Sequence, residues 1–236
     1  MNHRRLLLLS SSMVYGQDYL GHGADEILAL LGHNVSHVLF VPYAKVAWDD
    51  YTQKVRTCFE KWGISITGVH EAAEPGIALE NAEALFIGGG NTFLLLHDLY
   101  KNELMEPIRN RVRGGMPYIG TSAGSNVAGP TIQTTNDMPI IYPPTFSALA
   151  LVSFNINPHY LEPGPSSQHM GETRMVRIRE FHEHNPQPVV GIRESSMLRV
   201  DNSSIKLIGP QPAKVFRAGK KPLEISPGTA LDFLEQ

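Results

Sequence analysis

Short, wholly apolar runs alternate along the chain with longer stretches whose apolar residues recur at helical spacing. The run at 6–9 predicts a buried strand. Residues 25–31, with Ile27, Leu28, Leu30 and Leu31 apolar, predict a helix packed on a sheet. The same alternation predicts strands at 37–41, 64–69, 84–87 and 117–120, and helices at 49–62, 77–82, 92–99 and 103–112. Strand, helix, strand, helix is the pattern of an α/β protein with a parallel sheet. Such sheets are covered on both faces, so their strands are uniformly apolar. Their ligands bind outside the carboxyl ends of the strands.

The pattern breaks at 130–171, which carries Pro139, Pro143, Pro144, Pro158, Pro163 and Pro165 and has little periodicity. Long irregular segments within compact domains are often functional. Beyond it the spacing predicts a helix over 172–184 and a core strand at 189–192. The pattern then turns antiparallel: 197–200 and 205–208 flank Asp201-Asn202-Ser203-Ser204 as a hairpin, with further short strands at 215–216 and 231–233. The predicted fold class is α/β, a mainly parallel sheet flanked by helices with a C-terminal antiparallel β extension. No linker, repeat or low-complexity segment divides the sequence, so 1–236 is expected to be a single domain.

Composition narrows the function classes. Hydrophobic residues make up 42% of 236, which excludes a disordered or fibrous chain. The formal net charge is -3 and no long run has one sign, so no nucleic-acid partner is expected. Cys58 is alone, which rules out an intrachain disulfide and fits a reducing, cytoplasmic setting. His3-Arg4-Arg5 precedes an apolar run too short for a signal-peptide core, and no stretch reaches membrane-spanning length. No membrane partner is expected, and the sequons at Asn34 and Asn202 are expected to stay unmodified.

The segment with most chemistry is Gly120-Thr121-Ser122-Ala123-Gly124. It reads G-x-S-x-G between a predicted strand and a short helical stretch. That is the context of a nucleophile elbow, a sharp turn that holds a serine hydroxyl out into a cleft. Its glycines leave room where a Cβ would crowd the turn. The simpler alternative is a helix entry with Ser122 as N-cap. Gly88-Gly89-Gly90 ends another apolar strand, without the Lys-Ser/Thr of a P-loop or the spacing of a dinucleotide fingerprint. Two glycine-rich strand ends thus converge on one edge of the sheet.

A serine hydroxyl needs a base to take its proton and a third group to orient that base. Of ten histidines, His159 is the candidate base. It follows the apolar run 151–154, in Asn157-Pro158-His159, where the proline holds Asn157 extended. His169 lies in a polar loop without special context. His182-Glu183-His184 sits on a predicted helix, where i,i+2 spacing turns the two rings to different faces, so no metal is expected. The orienting acid is either Asp137 or Glu194. The oxyanion donors are expected to be the N–H of Ala123 and one from Gly88, Gly89 or Gly90.

Taken in order, Gly88-Gly89-Gly90-Asn91-Thr92, Gly120 to Gly124, Thr134-Thr135-Asn136-Asp137-Met138-Pro139 and Asn157-Pro158-His159 resemble the peptidase E family, the α-aspartyl dipeptidases. Trp48-Asp49-Asp50-Tyr51-Thr52, Gly171-Glu172-Thr173-Arg174, Gly191 and Glu194 extend the resemblance through nearly the whole chain. The resemblance implies a fold like the class I glutamine amidotransferase domain, with Ser122 where those relatives carry a cysteine. It implies hydrolysis of dipeptides with an N-terminal aspartate, small peptide substrates, with Ser122 as nucleophile and His159 as base. Both Asp137 and Glu194 match acids put forward in the family. Arg174 matches the position of a cation for the aspartyl carboxylate, which a guanidinium fork suits; the plainer alternative is a solvent-facing arginine. Asn91 and Thr92 are expected to hold substrate polar groups. Thr121 stands where relatives often carry a bulkier aromatic, a change expected to reshape the pocket. No cofactor is implied, and the chain is either a monomer or a homodimer. The alternatives are a serine hydrolase of β-aspartyl or ester bonds, and a non-catalytic binding protein on the same fold.

Overall fold

The computed structural model describes residues 3–162 and 171–235; His169, Pro163 and Pro165 lie outside them. Five parallel strands form most of the main sheet: β1 (Arg5–Leu9), β2 (His37–Val41), β3 (Ser65–Gly68), β4 (Ala84–Ile87) and β5 (Tyr118–Thr121). Between them run α1 (Ala24–Leu31), α2 (Trp48–Glu60), α3 (Pro75–Glu80), α4 (Thr92–Lys101) and α5 (Met105–Arg113). A four-residue helix, α6 (Ala123–Asn126), follows β5. The strand order is β3-β2-β4-β5-β1, extended by an antiparallel hairpin of β8 (Met197–Asp201) and β9 (Ser204–Ile208) beside β1.

The uniform apolarity of the strands has its predicted cause. Leu6 and Leu8, Leu39 and Val41, and Leu85 and Ile87 pack into a core with α4 and α5. Their neighbours Leu7 and Leu9, Val38 and Phe40, and Ala84 and Phe86 pack into a second core with α1 and α2. Successive side chains point to opposite faces of a strand, and here both faces are buried. Among the described residues, no helix is long and apolar enough to cross a membrane.

A second sheet packs into the first core. It consists of β6 (Asn155–Asn157), β7 (Val189–Ile192), β10 (Ala213–Phe216) and β11 (Leu223–Ile225), in the order β11-β10-β7-β6. Only β6 and β7 pair in parallel. The helix α7 (Arg174–His184) lies between them in the chain. The apolar run 151–154 is not itself a strand; the strand is the Asn-Ile-Asn that follows, and β11 was not predicted. The expected strand at 231–233 is corrected to one 3-10 turn, Asp232–Leu234. There Asp232 Oδ1 accepts the Ile205 N–H at 2.6 Å, and the turn buries Leu231 and Leu234.

The elbow glycines give a sharp stability test. A Cβ on Gly124 would lie 2.1 Å from the Ile87 carbonyl oxygen, and one on Gly120 2.6 Å from that of Gly124. Gly124→Ala is expected to cost about 3 kcal/mol, the upper range for overpacking, and to lower Tm by roughly 6–12 °C. Gly76→Ala is the control, because a Cβ there meets nothing within 4 Å. Thermal melts of both variants check it; equal Tm values would show that the turn relaxes freely.

Candidate active site

The site begins where β5 stops. Ser122 stands between β5 and α6 with φ 51° and ψ -108°, a conformation that costs a non-glycine residue about 1–3 kcal/mol. The surrounding bonds hold it there. The Ser122 N–H donates to Leu9 O at 3.1 Å. The Tyr118 hydroxyl donates to Gly124 O at 2.6 Å. Ser125 Oγ lies 2.6 Å from Leu9 O and 2.8 Å from Gly120 O. Ser122 is therefore not a plain N-cap: its side chain makes no cap bond and is left for other partners.

His159 is held just as firmly, at φ 53°. Its N–H donates to Ser10 Oγ at 2.9 Å, and that hydroxyl donates to Ile192 O at 2.8 Å. One serine at the end of β1 thus joins the ends of β6 and β7. The approach is pinned from the other side. Asn136 Nδ2 donates to Pro158 O at 2.8 Å, and Asn157 Nδ2 donates to Thr134 O at 2.7 Å. The ring consequently lies with Nε2 2.8 Å from Ser122 Oγ and Nδ1 3.0 Å from Glu194 Oε1. A carboxylate only accepts, so Nδ1 carries the proton and Nε2 faces the serine hydroxyl with its lone pair. The Glu194 side chain is 59% exposed, so water screens its charge.

Asp137 is elsewhere. Its Oδ2 accepts from the Thr92 N–H at 2.8 Å and from Thr92 Oγ1 at 2.6 Å. Asp137 has no hydrogen bond to His159, whose two nitrogens are already engaged. Asn91 caps α4, its Oδ1 accepting from the N–H groups of Phe93 and Leu94 while Nδ2 donates to Met138 O. Both ends of that amide hold protein, which leaves little for the substrate contact expected of it. Thr92 lines the cavity with its polar groups turned to Asp137.

The glycine triplet is likewise narrowed. The Gly88 N–H donates to Val41 O at 3.2 Å and the Gly89 N–H to the Tyr51 hydroxyl at 2.9 Å. These two expected oxyanion donors are therefore occupied. The Gly90 N–H has no acceptor among the described residues. The N–H of Ala123, first in α6, has no intrahelical partner either. Thr121 is wholly buried, outside the lining of the cavity it was expected to reshape.

A cavity of about 190 Å³ opens over Ser122, lined by Thr92, Asp137, His159 and Arg174 among others. Arg174 reaches it because Thr173 caps α7, accepting the Val176 N–H at 3.3 Å, and so makes Arg174 the first helical residue. The Arg174 Nη1 is buried and has no hydrogen-bond partner among the described residues. Burial pulls its pKa down, against the charge of Glu194, but a guanidinium remains a cation throughout.

Two supporting residues escaped the sequence. Ser10 is wholly buried at a strand end, and Tyr51 backs the glycine loop with a phenol whose pKa burial raises. The one available signal was a polar residue directly after an apolar strand, for Ser10.

A serine on a strained strand-to-helix turn of a parallel sheet, with an imidazole at its hydroxyl and a carboxylate behind the imidazole, defines an α/β serine hydrolase. A model of peptidase family S51 matches residues 6–208, and the chain belongs to that family of serine peptidases. Its relatives include a protein named Peptidase E from Streptomyces coelicolor, 48% identical over 229 residues, covering 97% of this chain and 94% of that one. Another, named Probable alpha-aspartyl dipeptidase, comes from Drosophila melanogaster; it is 48% identical over 235 residues, 99% of this chain and 98% of its own. The fold is that of a crystallised peptidase from an acI-B1 Actinobacterium, with a TM-score of 0.74, 15% identity, and coverage of 98% and 97%.

Proposed function

We propose that the chain is a dipeptidase that hydrolyses Asp-Xaa through an acyl-enzyme on Ser122. The observation that carries the reading is the line Ser122 Oγ, His159, Glu194, with contacts of 2.8 and 3.0 Å, beside a half-buried arginine whose Nη1 has no hydrogen-bond partner among the described residues. His159 Nε2 takes the hydroxyl proton as Ser122 Oγ attacks the carbonyl carbon of the N-terminal residue. Glu194 holds the ring in the required tautomer and faces the positive charge that forms on it. The N–H groups of Ala123 and Gly90 receive the oxyanion. The tetrahedral species collapses as His159 returns the proton to the leaving amine. Water, activated by the same imidazole, then releases free aspartate.

Arg174 supplies the preference for aspartate. Its Nη1 is buried and has no hydrogen-bond partner among the described residues, so an incoming carboxylate completes it. The small cavity suits one terminal residue rather than a polypeptide. The test is turnover of Asp-Leu against Leu-Leu by the purified protein, for which strong preference for Asp-Leu is expected. Arg174→Met is expected to lower kcat/KM for Asp-Leu about 10²-fold, within the ~2–5 kcal/mol lost when one partner of a buried charge pair is removed. Equal cleavage of both dipeptides by the unaltered protein would overturn the acidic preference.

A further inference from the structure

A second cavity, of about 460 Å³, shares no lining residue with the one over Ser122. One wall is the C-terminal half of α7, with Arg179, His182 and Glu183. The other is the loop between β10 and β11, with Arg217, Lys220 and Lys221. Phe216 and Pro222 are apolar parts of the lining. The loop folds tightly. The Lys220 N–H donates to Arg217 O at 3.1 Å, and Gly219 sits at φ 68°, where a side chain would be strained. That turn brings Arg217 and Lys220, at its two ends, close together.

Four cations and one carboxylate therefore line this cavity, in a chain whose formal net charge is -3. Charges of one sign repel unless a partner neutralises them. None of the four forms an ion pair among the described residues. Exposed lysines are often unpaired, but unpaired arginines are rare in this chain. Every arginine but three donates to an oxygen or pairs with one among the described residues. One exception is Arg174, in the cavity over Ser122. The other two are Arg179 and Arg217. Arg179 reaches Met175 Sδ at 3.8 Å, and Arg217 lies over the Phe233 ring at 5.3 Å. Two guanidinium forks thus line one cavity without an oxygen to accept from them.

A guanidinium fork matches two phosphate oxygens at once, and flanking ammonium groups add charge. A volume of this size suits a small molecule better than a single ion. We propose that the cavity binds a small organic phosphate, its phosphate held by Arg179, Arg217, Lys220 and Lys221 and its organic body set against Phe216 and Pro222. The site stands apart from Ser122 and does not rest on the dipeptidase reading.

Phenyl phosphate is the probe, titrated calorimetrically into the purified protein in a low-salt buffer free of phosphate. One bound equivalent is expected, with a Kd below about 1 mM that weakens as salt is added. Arg179→Gln/Arg217→Gln is expected to weaken binding at least about tenfold. Because Arg217 packs on Phe233, Lys220→Glu/Lys221→Glu serves as a second variant confined to exposed side chains, with a loss of about tenfold expected as well. Neither pair touches the groups around Ser122, so both variants should hydrolyse Asp-Leu at the native rate, which separates lost binding from lost folding. Arg174→Met tells the two cavities apart and is expected to keep the probe's Kd within about threefold. Binding lost in Arg174→Met and kept in both cation variants would place the anion over Ser122 and overturn the proposal. Citrate bound as tightly as phenyl phosphate would show recognition of charge alone and overturn the choice of phosphate. No saturable binding below about 10 mM would overturn the site itself.

Discussion

Ser122→Ala is expected to lower kcat on Asp-Leu about 10⁶-fold, the loss seen when the nucleophile of a serine relay is removed. The structure explains why the effect should be confined to chemistry. The Ser122 hydroxyl bonds only to His159 among the described residues, and the turn is held by Ser125, Tyr118 and the backbone instead. Alanine inherits the same positive φ, so Tm should move by no more than about 0.5 kcal/mol implies. The binding groups stay in place, so calorimetry should find Asp-Leu still bound to the variant. This pairing separates the enzyme from a binding protein on the same fold. An alanine variant that turns over normally would remove Ser122 from the mechanism. A native protein that binds Asp-Leu, fails to cleave it and resists a serine-reactive phosphonate would favour the non-catalytic alternative.

The parts of this site differ in how far the sequence discloses them, and the difference is physical. β1, β2 and β4 were legible because both their faces are buried, which leaves an almost wholly apolar run bounded by polar residues. The second sheet was harder. β6 is three residues long and two are asparagines, yet all three are buried. The Asn155 amide is satisfied by Thr131, and Asn157 Nδ2 donates to Thr134 O and to Asn136 Oδ1. Polar residues with buried partners look like loop from sequence alone. Ser122 was legible because its turn demands glycines at fixed offsets. His159 was legible because a proline fixes its approach.

The choice between Asp137 and Glu194 was not legible, because tertiary pairing decides which of them meets the ring. β6 and β7 run in parallel with Asn157 opposite Gly191. The chain beyond each end therefore carries His159 and Glu194 past the sheet side by side. Gly191 keeps that pairing close, since a Cβ there would lie 2.6 Å from the Tyr160 ring. Asp137 is nearer to His159 in sequence, but its loop is drawn to the start of α4 by Thr92. Sequence separation pointed one way and strand register the other.

Glu194→Ala is the second large effect, expected to be about 10²–10³-fold in kcat. The figure is set below the roughly 10⁴-fold seen when the acid of a serine protease triad is neutralised. That acid is buried, whereas the Glu194 side chain is 59% exposed. Water can solvate Nδ1–H once the carboxylate is gone, and ionic screening already weakens its charge. What is lost is mainly the fixed tautomer and ring orientation. Glu194→Gln can also donate its amide N–H to the ring and hold the wrong tautomer, so it is expected to lose at least as much as Glu194→Ala. Labelling of Ser122 by a phosphonate without an amino group reads the activation of the serine apart from recognition of the dipeptide. That rate should fall in Glu194→Ala and stay near native in Asp137→Ala. The reverse pattern, with labelling lost through Asp137 and kept without Glu194, would assign the orienting role to Asp137 and would require the loop at Thr92 to move before catalysis.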